Sequence, residues 1–145
     1  MSLDGQYDPE NIFAKMLRGD VPCHRVYEDD AVLAFLDLYP QSKGHTLVIP
    51  KAPARNLLDA EADTLATLFP RVQNVAKAVR AALNPDGLVI TQFNGASGGQ
   101  TVFHLHVHII PRYDGQTTAE HGAGLHGDHE ALAAIAVDIA AHLKG

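Results

Sequence analysis

The chain has 145 residues, the size of one domain with enough interior to fold without covalent staples. Its formal net charge is −6, with no cluster of Lys or Arg, which argues against tracking a nucleic-acid backbone. No apolar run approaches the ~20 residues that span a bilayer, and no secretory leader is visible. The single cysteine, Cys23, has no internal disulfide partner. A cytoplasmic protein without nucleic-acid or membrane partners is therefore expected.

In chain order, residues 1–9 read as a loosely held terminus and 10–145 as a single domain. Asn11 to Arg18 predicts a short helix with Ile12, Phe13, Met16 and Leu17 on one side and Gly19 as a stop. His24 to Glu28 and Ala31 to Asp37 read as strands joined by Asp29 and Asp30, and Thr46 to Ile49 as a third that stops at Pro50. Leu65, Leu68, Phe69, Val72, Val75, Ala76, Val79 and Leu83 recur at helical spacing. Pro70 interrupts this pattern. A proline inside a helix costs about 3 kcal/mol, so a kink or a separate first piece is expected. Leu88 to Phe93 reads as a strand, Asn94 to Gln100 as a glycine-rich loop, Thr101 to Ile110 as a strand ending at Pro111, and Glu130 to Leu143 as an alanine-rich helix. Strands joined by short turns favour antiparallel pairing, so the fold class is α+β with an antiparallel sheet. The stretch Glu120 to His129 is rich in Gly and His; it reads as a flexible loop or as a metal-binding tract.

His104, His106 and His108 alternate with Leu105 and Val107. On a strand the histidines share one face, and Phe103, Leu105, Val107 and Ile109 share the other, core-facing side. A solvated face with three histidines in a row is a poor reading. Two of them could share a zinc, but the outer pair is separated by ~13 Å of strand. In the catalytic reading, one imidazole is a nucleophile and its neighbours orient it or hold anionic oxygens. The preceding loop, Asn94-Gly-Ala-Ser-Gly-Gly-Gln100, can turn N–H groups toward an anion, and Gln100 and Thr101 add neutral donors. An anion cradle beside a row of imidazoles favours attack on phosphate.

Gly98-Gly-Gln-Thr-Val-Phe-His-Leu-His-Val-His-Ile-Ile-Pro-Arg112 resembles the signature of the histidine triad (HIT) family. Ile12 to Met16, Tyr27 to Asp30, Ala34 to Asp37 and Gly44 to Lys51 resemble its preceding blocks in order and spacing, nearest to the branch of bacterial HIT proteins and nucleoside phosphoramidases. The resemblance implies about five antiparallel strands, two main helices and a two-fold homodimer. It implies that His106 attacks the α-phosphorus of a purine nucleotide and forms a nucleotidyl-histidine, with the His104 carbonyl fixing its tautomer. His108 and His45 match positions that contact phosphate or the leaving group. Gln100, Thr101 and N–H groups near Gly99 would hold phosphate oxygens. Asp37 would accept from ribose hydroxyls, and Ile12, Phe13, Phe35, Leu38 and Leu47 would sandwich the base.

The chain also departs from the pattern. Many bacterial members hold a structural zinc with two cysteines of the first helix, a histidine after the Ile-Pro-Lys segment and the first triad histidine. Asn11, Ala14 and Pro53 stand at three of those places, leaving only His104, so no zinc and no other cofactor is expected. Phe93 occupies a place where relatives often carry an amide that reaches phosphate; Asn94 is the candidate substitute. The chain has no tryptophan, so it lacks the tryptophan-containing tail of the eukaryotic phosphoramidases. The reading is a hydrolase of nucleoside phosphoramidates, with dinucleoside polyphosphate cleavage or non-catalytic AMP sensing as alternatives.

Overall fold

The computed structural model describes residues 3–116 and 128–143. The elements run α1 (Ile12–Arg18), β1 (Arg25–Glu28), β2 (Val32–Leu36), β3 (Thr46–Pro50), α2 (Ala62–Leu83), β4 (Gly87–Thr91), β5 (Val107–Arg112) and α3 (His129–Ala140). A short 3₁₀ turn, Ala96–Gly98, lies between β4 and β5. The five strands form one sheet in the order β1-β2-β3-β5-β4, with every neighbouring pair antiparallel. No helix among the described residues is long and apolar enough to cross a membrane.

Strand alternation sorts the core into two layers. Val32, Ala34, Leu36, Val48, Val107 and Ile109 face α2 and α3, where they pack with Leu68, Val72, Val75, Val79, Leu132 and Ile139. Leu33, Phe35, Leu47 and Ile49 point to the opposite face and meet Phe13 and Met16 of α1. Both faces of β2 and β3 are therefore covered, and every residue of these two strands is buried. His108 shares its side of the sheet with the smaller layer, because it alternates with Val107 and Ile109.

Local chemistry sets the ends of these elements. Asn11 caps α1 by accepting the Ala14 N–H, and Gly19 closes it at φ 82°, a left-handed backbone that glycine adopts without strain. Asp29 accepts the N–H groups of Ala31 and Val32 in the turn between β1 and β2, and its other oxygen receives the Tyr27 hydroxyl and Arg71 of α2. Burial alone would raise its pKa, but the Arg71 guanidinium and these donors hold the carboxyl well below the usual aspartate range.

The structure differs from the sequence reading in several places. Helix α2 continues through Pro70 as one element. Pro70 and Ala66 lie on its exposed side, so water can serve the Ala66 carbonyl that the missing N–H leaves behind. Strand β5 begins only at Val107 and runs past Pro111 to Arg112. Pairing with β3 ends at Ile109, and the Pro111 carbonyl on that side takes the Ser42 hydroxyl, so the proline removes no ladder bond there. Residues 101–106 are not strand, and Phe103 leaves the expected core face to lie under the guanidinium of Arg55, 4.3 Å from its ring centre. Within the N-terminal segment expected to be loosely held, the Leu3 carbonyl accepts from Asn56 and the Tyr7 hydroxyl reaches His104. Most of the Gly/His-rich stretch lies outside the described residues. His129, at its end, opens α3 and meets His24 at 2.9 Å.

Candidate active site

The smaller core layer opens into a cavity of about 280 Å³. Ile12, Phe13 and Met16 form the wall contributed by α1; Phe35 to Tyr39 and Leu47 form the wall from β2, the turn after it and β3. Thr101 and Val102 close one end, and His106 and His108 complete the lining. The lining is mostly apolar, with Asp37, Tyr39, Thr101 and the two imidazoles as its polar side-chain groups, the composition of a site that holds a flat apolar ring and a polar tail.

His106 is 4% exposed and sits with its ring edge-on to Phe13, the centroids 4.9 Å apart at 82°. Its Nδ1 lies 2.7 Å from the His104 carbonyl oxygen. A carbonyl can only accept, so Nδ1 carries the proton and Nε2 of the neutral ring carries the lone pair.

His108 and His45 form a second directed pair. The Gln41 N–H donates to His45 Nδ1 at 3.0 Å, which places the His45 proton on Nε2. That nitrogen donates to His108 Nδ1 at 2.9 Å, which in turn places the His108 proton on Nε2. His45 Nε2 also lies 3.5 Å from Asp37 Oδ2, and the other Asp37 oxygen accepts the Tyr39 N–H. Phe93 rests edge-on against His108 at 5.3 Å. It therefore shapes the ring's surroundings at a place where the sequence suggested a lost donor.

Asp37, His45 and His108 bring three potential ligand atoms within 4.8 Å of one another. The donor chemistry does not suit a cation. A metal on His45 Nε2 would force the proton onto Nδ1, against the Gln41 N–H. A structural zinc on His104 fits no better. Its Nε2 faces the Pro50 carbonyl at 2.8 Å and its Nδ1 faces the Tyr7 hydroxyl at 2.6 Å, while Asn11 is committed to capping α1. Burial pushes the His104 pKa below its ordinary value, with the Pro50 bond opposing that shift.

Of the residues singled out in the sequence, Ile12, Phe13, Phe35, Asp37, Leu38, Leu47, Thr101, His106 and His108 come together around the cavity. His45 stands behind His108, and His104 lies behind His106. Asn94, Gly99 and Gln100 do not line it. Gln100 is buried inside its own loop: Oε1 accepts the Gly95 N–H, and Nε2 donates to the carbonyls of Arg55 and Val102. Asn94 accepts from Leu57 N–H and exchanges amide bonds with Gln92. The Gly99 N–H returns to Ala96, and a Cβ at Gly99 would lie 3.1 Å from the Phe93 ring at φ 105°, so glycine is needed there for fit and for backbone. The sequence assigned these three to phosphate; the structure spends them on the shape of the loop. Sequence reasoning did not place Tyr39, Val102 or Tyr7 at the site. The Tyr7 contact spans 97 positions and has no local signal.

Residues 18–115 match the family model of the HIT domain. The chain is similar to Protein hit of Bacillus subtilis, 47% identical over 102 residues that cover 70% of each protein. It is also similar to the adenosine 5'-monophosphoramidase hnt1 of Schizosaccharomyces pombe, 40% identical over 114 residues, 79% of this chain and 80% of that one. The crystal structure of a Hit-like protein from Bartonella henselae, described as involved in cell-cycle regulation, superposes with a TM-score of 0.88 at 49% identity, covering 95% of this chain and 100% of the other. This chain belongs to the histidine triad family.

Proposed function

We propose that the protein hydrolyses phosphoramidates of purine nucleosides, adenosine among them, through a nucleotidyl-histidine on His106. One observation carries this reading: the bond from His106 Nδ1–H to the His104 carbonyl, which leaves the Nε2 lone pair on a ring lining the cavity. The relative named as an adenosine 5'-monophosphoramidase supports the choice of substrate class.

In this reading the base lies between the α1 wall and the Phe35 and Leu47 wall, and Asp37 accepts from ribose hydroxyls. Nε2 of His106 forms a bond to the α-phosphorus as the bond from phosphorus to the amine nitrogen breaks. The amine leaves with a proton from solvent. The phosphorylated ring is cationic, and its Nδ1–H bond to the His104 carbonyl strengthens as that charge appears. His108 Nε2–H and Thr101 donate to the phosphate oxygens. Water then attacks phosphorus, the Nε2–P bond breaks, one proton returns to solvent, and the nucleoside monophosphate departs.

The test is turnover of an adenosine phosphoramidate. Wild type should release AMP, and His106→Ala should lose activity by at least about a thousandfold. Wild-type turnover that survives the substitution would overturn the assignment, and binding of AMP with no turnover by wild type would make the protein a sensor. The proposal includes a homodimer. Among the described residues β4 pairs only with β5 and exposes Ile90, an edge suited to a second copy. Light scattering should give twice the chain mass; a monomer at micromolar concentration would remove that part.

A further inference from the structure

The stretch from His104 to His106 precedes the first residue of β5, so no sheet ladder holds it. Yet the His104 carbonyl must be fixed if it is to orient His106. One backbone bond helps, from the Leu105 N–H to the Ala54 carbonyl at 2.8 Å. The His104 ring supplies the rest. It is fully buried and gripped at both nitrogens. Its Nε2 faces a carbonyl, Pro50, which can only accept; the proton is therefore on Nε2, and Nδ1 must accept. The group that donates to it is the Tyr7 hydroxyl, at 2.6 Å, with the two rings edge-on at 5.6 Å.

The segment carrying Tyr7 has a built receptor. Asn56 is fully buried, and its Nδ2 donates to the Leu3 carbonyl at 2.9 Å while its Oδ1 accepts the Leu58 N–H. The Leu3 side chain fills the space where a Cβ at Gly95 would sit, 3.1 Å away. A buried amide committed to one carbonyl of the terminal segment stabilises that segment in place.

We propose that Tyr7 is a positioning residue for the nucleophile. Its hydroxyl locks the His104 ring, the ring holds the His104 carbonyl, and the carbonyl holds His106. A phenol thereby does at His104 the anchoring for which Asn11, Ala14 and Pro53 provide no metal ligands. The proposal rests on the reading of His106 as nucleophile.

The experiment is Tyr7→Phe, which keeps the ring and removes only the hydroxyl. In nitrogen-resolved NMR of the intact protein, the His106 Nδ1 proton should exchange with solvent at least about tenfold faster in the variant. With the adenosine phosphoramidate, kcat should fall about tenfold while KM stays within about twofold. The thermal midpoint should fall by a few degrees, because the buried His104 Nδ1 loses its donor. Unchanged exchange of the His106 proton overturns the proposal whatever the activity. A drop in midpoint with unchanged kcat also overturns it, leaving Tyr7 a packing residue. Metal analysis of wild type that finds one tightly held zinc per chain would overturn it as well. A wild type inert toward the phosphoramidate defeats the catalytic reading alone, because the proton-exchange measurement still judges Tyr7.

Discussion

On one side of His106 the cavity is walled by Phe13, Phe35, Leu38 and Leu47, none of which has a polar side-chain atom. On the other side the loop from Asn94 to Gln100 is dense with amides, and those amides bond to the loop itself and its neighbours. The apolar side is free to receive a ligand, because its residues need no partner and meet the cavity with bare surface. On the polar side the Asn94 and Gln100 amides already have partners. A buried amide without partners costs about 1–3 kcal/mol, so a compact glycine-rich turn consumes its own donors before any ligand arrives. Polarity in a loop next to a site is therefore weak evidence of contact with the ligand, whereas Thr101, exposed at the end of the same loop, lines the cavity.

Substitutions on the two sides should separate stability from activity. The largest effect is expected at Gln100. Replacing it with Leu removes three hydrogen bonds and orphans the Gly95 N–H with the carbonyls of Arg55 and Val102, at a cost of about 3 kcal/mol in urea unfolding. An unchanged unfolding midpoint together with lost activity would return Gln100 to the ligand and break the contrast. Next comes Asp37→Asn. The amide can still accept the Tyr39 N–H but loses one acceptor for the ribose, so KM for an adenosine phosphoramidate should rise about tenfold with kcat little changed. An equal rise for a substrate lacking both ribose hydroxyls would show that the carboxylate acts elsewhere. The smallest effect is expected at Thr101→Ala. Steady-state rates should fall about threefold, with unfolding free energy within about 0.5 kcal/mol of wild type because the side chain is exposed. A stability loss there as large as that at Gln100 would erase the distinction.

The sheet and its two core layers were legible because Val32 to Leu36, Thr46 to Pro50 and Val107 to Ile109 alternate or run apolar, and burial on both faces leaves that mark. The cavity walls were legible for the same reason, together with the family resemblance. The histidine row kept its spacing, but only His108 sits on a strand: residues 101–106 take their shape from tertiary partners, Ala54, Pro50 and Tyr7, none of them near in sequence. Phe103 left the core for the same cause, because alternation of faces holds only where a ladder enforces the pleat. Gln100 and Asn94 turn to the loop and its neighbours rather than to the cavity because a side chain's direction in a loop depends on which neighbour needs a hydrogen bond, and the sequence does not display that need.

The bond from the Gln41 N–H to His45 has a consequence beyond its own turn. A main-chain amide cannot reverse its polarity, so it acts as a fixed terminal for the two rings that follow. Turning the pair around would require shifting two protons and leave two N–H groups pointed at each other. In the proposed reaction, an incoming phosphate would meet a dipole aimed in advance, with no reorientation needed when negative charge builds on its oxygens. The backbone at position 41 thus orients the His45–His108 pair although its side chain does not line the cavity. What matters at that position is the direction of one amide.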